Sequence, residues 1–385
     1  MGYKLSSKLP DVGTTIFTKM SKMANENNAI NLSQGFPDFE VAPELVELVN
    51  YYMKKGVNQY APMPGVPSLC SAIASMVDNT RNIKINSETE ITITSGATEA
   101  IYNIITATIK KGDEVVLFDP AYDCYDPAIR LNGGVPVHIK LRQPDFSIDW
   151  NVVKQQINPR TRMIMINTPH NPSGTTLSQQ DLTTLEHLIK DTEILVLSDE
   201  VYEHIIFNDL SHESVLNYPN LKKRSAAVYS FGKTFHATGW KMGYIIAPDW
   251  WTHEIRKVHQ FVTFCANTSV QHALADFITS PKNYEYVPLF YQEKRDYFAN
   301  LVKTSKFDLI NCTGTYFQLM SYKNVDELNH LGDQQAAEKL TKEYGLASIP
   351  ISVFYSDGQD DKLLRFCFAK GNETLKKAAK ILCKI

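Results

Sequence analysis

The sequence predicts an α/β protein with a mostly parallel central sheet and a second, smaller α+β domain. Three observations carry this. Six short apolar runs recur through the middle of the chain: ITIT (91–94), EVVLF (114–118), MIMI (163–166), EILVL (193–197), AAVYS (226–230) and GYIIA (243–247). Several are apolar throughout instead of alternating, as suits strands covered on both faces. Polar or Gly/Pro turns and amphipathic stretches separate them, so strands alternate with helices.

The third observation is a change of pattern after about residue 280. Charged helical stretches run from Asn283 to Thr304 and from Asp333 to Tyr344, with short strands near Tyr316–Met320 and Leu363–Phe368. The expected division is a large domain over 46–275 and a small domain built from 1–45 with 276–385. The N-terminal segment joins the small domain because chain termini often lie close together.

One helix is readable residue by residue. After Ser95-Gly96-Ala97-Thr98, apolar residues fall at Ala97, Ala100, Ile101, Ile104, Ile105 and Ile109, the stripe of an amphipathic helix. Lys110 and Lys111 predict a basic last turn and Gly112 a C-cap. Strand ITIT, turn SGAT, this helix and strand EVVLF then make a βαβ unit.

The chain has 385 residues, 43% of them hydrophobic and 21% charged, which excludes collagen-like, low-complexity and wholly disordered classes. Its 39 basic and 42 acidic residues leave a net charge of −3, with no electrostatic footprint for nucleic acid or anionic membrane. No apolar run approaches the roughly 20 residues of a spanning helix, and the start lacks a signal-peptide core. Residues 1–6 fit the short myristoylation pattern at Gly2, a tolerant motif. Cys70, Cys124, Cys265, Cys312, Cys367 and Cys383 form no CxxC pair, so buried, reduced thiols in a cytoplasmic protein are expected.

Common site motifs fail. No G-x-G-x-x-G follows a strand. Gly232-Lys233-Thr234 ends like a phosphate loop, but Ala227 stands where that loop needs glycine. His253-Glu254 is followed by Lys257 where a zincin needs histidine, no G-x-S-x-G elbow occurs, and no metal site is expected.

What remains is one lysine at the end of a buried strand, among glycine, threonine and aromatics: SFGKTFHATGWKMGY, residues 230–244. This segment resembles the S-x-[SG]-K-x-x-x-x-x-G-x-[RK]-x-G signature of fold-type I, class I/II aminotransferases, which use pyridoxal 5′-phosphate. Seven further blocks follow the family order: NLSQGFPDF (31–39), NQYAPMPGVPSL (58–69), TSGATEAI (94–101), DPAYDCY (119–125), NTPHNPSGTT (167–176), SDEVYEHIIF (198–207) and LLRFCFAK (363–370). The resemblance implies the aspartate aminotransferase-like fold.

It also implies roles. Lys233 is the lysine that forms the resting imine (aldimine) with the cofactor and shuttles the proton, a base tuned to roughly pH 7–8. Asp199 keeps the ring nitrogen protonated, and side-chain alternation points its neighbour Glu200 elsewhere. Tyr202 and Asn171 donate to the phenolate oxygen, and Tyr122 stacks on the ring. Gly96, Ala97, Thr98, Ser230 and Lys241 take the phosphate, with lysine where many relatives carry arginine. Tyr60 matches a tyrosine that reaches the neighbouring subunit's phosphate, which implies a homodimer with active sites at the interface.

For substrate, Arg365 is the carboxylate partner, with Gly35 and Asn171 beside it and Phe17, Phe354 and Tyr355 as pocket walls. No second arginine is identifiable for a dicarboxylate. The blocks look most like the methionine, kynurenine–oxoglutarate and glutamine aminotransferase branch. An uncharged or aromatic amino acid and a 2-oxo acid are therefore the expected substrates, in ping-pong half-reactions. A cysteine-S-conjugate β-lyase on the same scaffold is the alternative. A non-catalytic pyridoxal-phosphate-binding regulator is the remote one; such relatives carry an added winged-helix segment, and the match begins by about residue 30.

Overall fold

The computed structural model describes residues 5–385, so Gly2 lies outside the described residues. Seven strands make the large sheet: β1 (Ile91–Thr94), β2 (Glu114–Asp119), β3 (Val135–Lys140), β4 (Thr161–Asn167), β5 (Leu195–Asp199), β6 (Ser225–Ser230) and β7 (Gly243–Ile246). Their order is β3-β2-β4-β5-β6-β7-β1. Strand β7 is antiparallel to both neighbours, and every other pairing is parallel.

The six apolar runs are all strands of this sheet. β1, β2 and β7 are buried at every residue, because helices cover both faces. The seventh strand, β3, has no such run. It is the edge strand VPVHIK, mostly half-buried or exposed, so its polar alternation hid it.

Helix α1 (Ile16–Glu26) precedes the sheet, and helix α2 (Ala97–Thr108) follows β1. α2 ends earlier than its sequence predicts. Ile109 is already extended and buried, so the chain turns there and Lys110–Gly112 form the loop into β2 instead of a last helical turn. The β1–α2–β2 crossover joins parallel strands, but these sit near opposite edges of the sheet with four strands between them. That long span carries α2 across the sheet and aims its N-terminus at the middle strands.

A second sheet has the order β10-β11-β9-β8, all antiparallel, from β8 (Asp308–Leu309), β9 (Phe317–Ser321), β10 (Ile349–Pro350) and β11 (Leu363–Cys367). The N-terminal segment pairs near it: Ile30–Asn31 lies parallel to Leu346–Ala347. The cysteines are unpaired; Cys70, Cys312 and Cys367 are buried, Cys124 and Cys265 half-buried, and Cys383 exposed at the C-terminal helix. The expectation that all six are buried is thus corrected. No described helix is long and apolar enough to cross a membrane.

Candidate active site

The C-terminal ends of β4, β5 and β6 converge on one cavity, where doubly wound sheets place their sites. Strand β6 ends at Ser230, and the next four residues form one helical turn, Phe231–Thr234. That turn projects the Lys233 amine into the cavity. The amine has no acid within ion-pair reach among the described residues and packs 5.6 Å from the ring centroids of both Tyr202 and Tyr316. Burial, helped by the nearby charges of Arg365 and Lys241, pulls its pKa down to about 8.

Asp199 ends β5 in the same cavity. Burial pushes its carboxyl up to about 6, against opposing hydrogen bonds from Tyr125 and the Val201 amide. Tyr125 Oη donates to Asp199 Oδ2 at 2.5 Å and Val201 N to Oδ1 at 3.3 Å. Glu200 points away, as alternation requires. It accepts from Ser198, Tyr229 and the Val215 amide and meets His212 at 2.8 Å.

At the start of α2, Gly96 has φ +81°, which only glycine takes without strain. A Cβ there would lie 3.3 Å from Lys241 Cε and Nζ, so the ammonium packs directly on the turn that presents the α2 amides. Lys241 itself sits at φ +55°. The N-terminal amides and this cation form an anion site without a side-chain cap.

Arg365 lies in central strand β11, fully buried. One guanidinium nitrogen donates to Asn171 Oδ1 at 2.6 Å and the other to the Ser33 carbonyl at 3.3 Å. Its Nε has no partner, and the group lies 3.8 Å from the Phe317 ring centroid. Phe17 and Phe354 stand 5.3 and 5.6 Å from it, and Phe17 also meets Tyr122. Gly35 is pinned from beyond: its carbonyl accepts from Tyr316 Oη at 2.6 Å, and a Cβ would strike Phe317 at 2.7 Å.

Gly96, Ala97, Thr98, Tyr122, Asn171, Asp199, Tyr202, Ser230, Lys233 and Lys241 therefore line one cavity. Tyr60 does not; it is 83% exposed, against Phe264 on the outer surface. The model of class I and II aminotransferases matches residues 27–382. The chain belongs to this family.

Its relatives agree along their length. A methionine aminotransferase of Escherichia coli K12 is 48% identical over 98% of this chain and 97% of its own. A kynurenine–oxoglutarate transaminase of Dictyostelium discoideum is 31% identical over 100% of this chain and 97% of its own. A solved Escherichia coli structure, described as having a methionine aminotransferase function, superposes with a TM-score of 0.97 at 47% identity over 100% of both chains. An aspartate aminotransferase from Thermus thermophilus gives 0.90 at 25% identity, again over 100% of both chains. This aminotransferase thus has the aspartate aminotransferase-like fold.

Tyr125 and Asn167 are among the site residues that escaped the sequence reading. Tyr125 stands in DPAYDCY but carries no signal until the fold turns its hydroxyl onto Asp199. Asn167 opens the NxxxNPxG block; its Nδ2 donates to the Asp199 carbonyl at 2.8 Å and its Oδ1 accepts the Asn171 amide at 2.8 Å. Its place four residues before Asn171 was the available clue.

Proposed function

We propose that this aminotransferase takes methionine as its favoured amino donor, with glutamine, phenylalanine, tyrosine and kynurenine as further donors, and passes the amino group to a 2-oxo acid. It uses pyridoxal 5′-phosphate and acts in the cytoplasm as a homodimer, with 46–275 as the cofactor domain and 1–45 with 276–385 as the smaller one. The observation that carries this is a buried, unpaired amine at Lys233 sharing one cavity with a buried carboxylate at Asp199.

The donor set fits the cofactor. Ala97 and Thr98 amides, Ser230 and Lys241 suit a phosphate, and the bare Gly96 backbone keeps that approach open. Asp199 suits a protonated ring nitrogen, Tyr202 and Asn171 a phenolate oxygen, and Tyr122 a ring face. When bound, pyridoxal phosphate supplies the carbonyl carbon that receives the amino group and a ring that withdraws electrons from the substrate Cα.

The chain's own residues do the rest. With a pKa near 8, Lys233 Nζ has a useful free-base fraction at neutral pH. It takes the proton from the substrate Cα and delivers a proton back within the same half-reaction. Arg365 holds the α-carboxylate, aided by Asn171 and the Gly35 backbone; its unpartnered Nε is a donor in reserve. Phe17, Tyr122 and Phe354 offer an apolar, aromatic wall, which favours methionine and aromatic side chains over acids. Tyr60, Phe261 and Phe264 leave large apolar rings in water, with Phe261 85% exposed, which supports burial against a second copy.

The test combines activity and product. Purified protein supplied with pyridoxal phosphate should be yellow and should convert methionine to its 2-oxo acid, while Lys233→Ala loses this half-reaction. A donor with a β-leaving group should yield a full-length 2-oxo acid. Colourless protein, full turnover by the alanine variant, or pyruvate and ammonia as the main products would overturn the reading.

A further inference from the structure

The aromatic wall is assembled from three distant segments: Phe17 on α1, Tyr122 after β2 and Phe354 after β10. One carboxylate joins two of them. Asp119 ends β2 and is fully buried. Its Oδ2 accepts from the Ser356 amide at 2.8 Å and from the Ser356 hydroxyl at 2.7 Å. Two residues further on, the Ala121 amide donates to the Phe354 carbonyl at 2.7 Å. The segment Phe354–Ser356 is thus docked onto the turn that carries Tyr122, and the Phe354 ring is held 5.9 Å from that of Phe17.

The other oxygen of Asp119 meets His138 on edge strand β3. His138 Nδ1 lies 2.7 Å from Asp119 Oδ1, and its Nε2 lies 3.2 Å from Asp126 Oδ2. A neutral imidazole has a single N–H, so it would turn a lone pair on one of these carboxylates. The imidazolium donates to both. It also brings the positive charge that a fully buried carboxylate needs. The neighbouring cations are engaged elsewhere: Arg130 by Asp126 and Asp11, and Lys140 by Asp357. Lys19 and Asp123 border the cavity on this side, Lys19 in water and Asp123 half-buried, and Tyr355 gives its hydroxyl to Asp361. Burial lowers the His138 pKa, but the hydrogen bonds and charges of Asp119 and Asp126 outweigh it and raise that pKa from 6.5 to about 9.

We infer that His138 is a positioning residue: its imidazolium holds Asp119 so that Phe354–Ser356 docks beside Tyr122, and this sets the wall that receives the substrate side chain. The inference rests on the aminotransferase reading above and deepens it. A pH dependence follows. The folded pKa is raised, so the clamp is complete at neutral pH and is lost as pH rises through about 9. Its loss acts on ligands that reach the wall and spares those that reach only Arg365.

The experiment measures inhibition of the methionine half-reaction of the holoenzyme by 4-(methylthio)butanoate and by propanoate, from about pH 7 to about pH 10.5. Both acids carry the carboxylate and no amine, and only the longer one reaches the wall. Lys233 and Asp199 titrate beneath both, so they cancel in the ratio of inhibition constants. In the wild type the preference for the longer acid should fall about tenfold as pH passes about 9, the loss of one charge-assisted hydrogen bond. In His138→Gln the preference should be about tenfold lower at neutral pH and flat with pH, which a general loss of packing would not produce. A flat wild-type preference, which needs no variant to fold, or the same step in His138→Gln would overturn the role of His138. A wild-type protein that does not transaminate methionine would instead overturn the parent reading.

Discussion

Tyr125 Oη donates to Asp199 Oδ2 at 2.5 Å, and this bond ties the helix Tyr125–Leu131 to the end of β5. Burial drives the Asp199 pKa upward and the tyrosine hydroxyl opposes it, and the balance leaves that pKa raised from 3.8 to about 6. Removing the donor lets that pKa climb further, so less of the carboxylate is ionised at neutral pH. Tyr125→Phe should lower kcat/KM about tenfold and move the acidic limb of its pH profile upward. A profile with the limb unmoved would show that the bond does not govern Asp199.

Glu200 predicts acid sensitivity. Burial would raise its pKa, but the His212 charge and hydrogen bond, with Arg81 beyond, outweigh it and hold the carboxyl at about 2, below 4.5. A depressed folded pKa stabilises above the unfolded value. Its contribution is therefore complete above pH 4.5 and is lost as pH falls toward 2. Glu200→Gln should cost about 3–5 kcal/mol at pH 7, as for a broken buried pair. Thermal melts across pH 2–7 should show the wild type losing more of its stability than the variant on acidification.

Arg365 predicts a separation of substrate binding from cofactor binding. Its guanidinium lies on the Phe317 ring and donates to Asn171, so it is fixed before substrate arrives. Lysine keeps the charge but loses the planar fork. Arg365→Lys should raise KM for methionine enough to cut kcat/KM about 100-fold. The absorbance spectrum with pyridoxal phosphate should not change; a lost spectrum would mean the residue serves the cofactor.

Gly243 predicts a steric effect at the anion site. A Cβ there would lie 2.7 Å from the Tyr229 carbonyl and 3.0 Å from the Ala97 amide nitrogen. The strand would have to move off the start of α2. Gly243→Ala should lower the melting temperature and weaken pyridoxal phosphate affinity about tenfold or more, measured by fluorescence titration. Equal affinity in both proteins would refute the coupling between β7 and α2.

The strands of the large sheet were readable because burial on both faces leaves an unbroken apolar run, which needs no knowledge of neighbours. Edge strand β3 was not, since one exposed side restores a mixed pattern. The N-terminal turn of α2 was readable from SGAT, but its end was not. Ile109 fits the helical stripe, and only its burial as an extended residue reveals the break.

The same division holds at the site. Local sequence decides which groups exist at the ends of β4, β5 and β6: Asn167 and Asn171, Asp199 and Tyr202, Ser230 and Lys233. Each ends its strand or follows it within a few residues, so motif spacing alone places it. Tertiary structure decides everything that depends on distance through space. It turns Tyr125 onto Asp199, sets Lys241 against Gly96, and exposes Tyr60 on the outer surface. The physical reason is that hydrogen bonds, burial and charge act over a few ångströms of space, and the crossovers of an α/β sheet bring those atoms together from segments far apart in the chain.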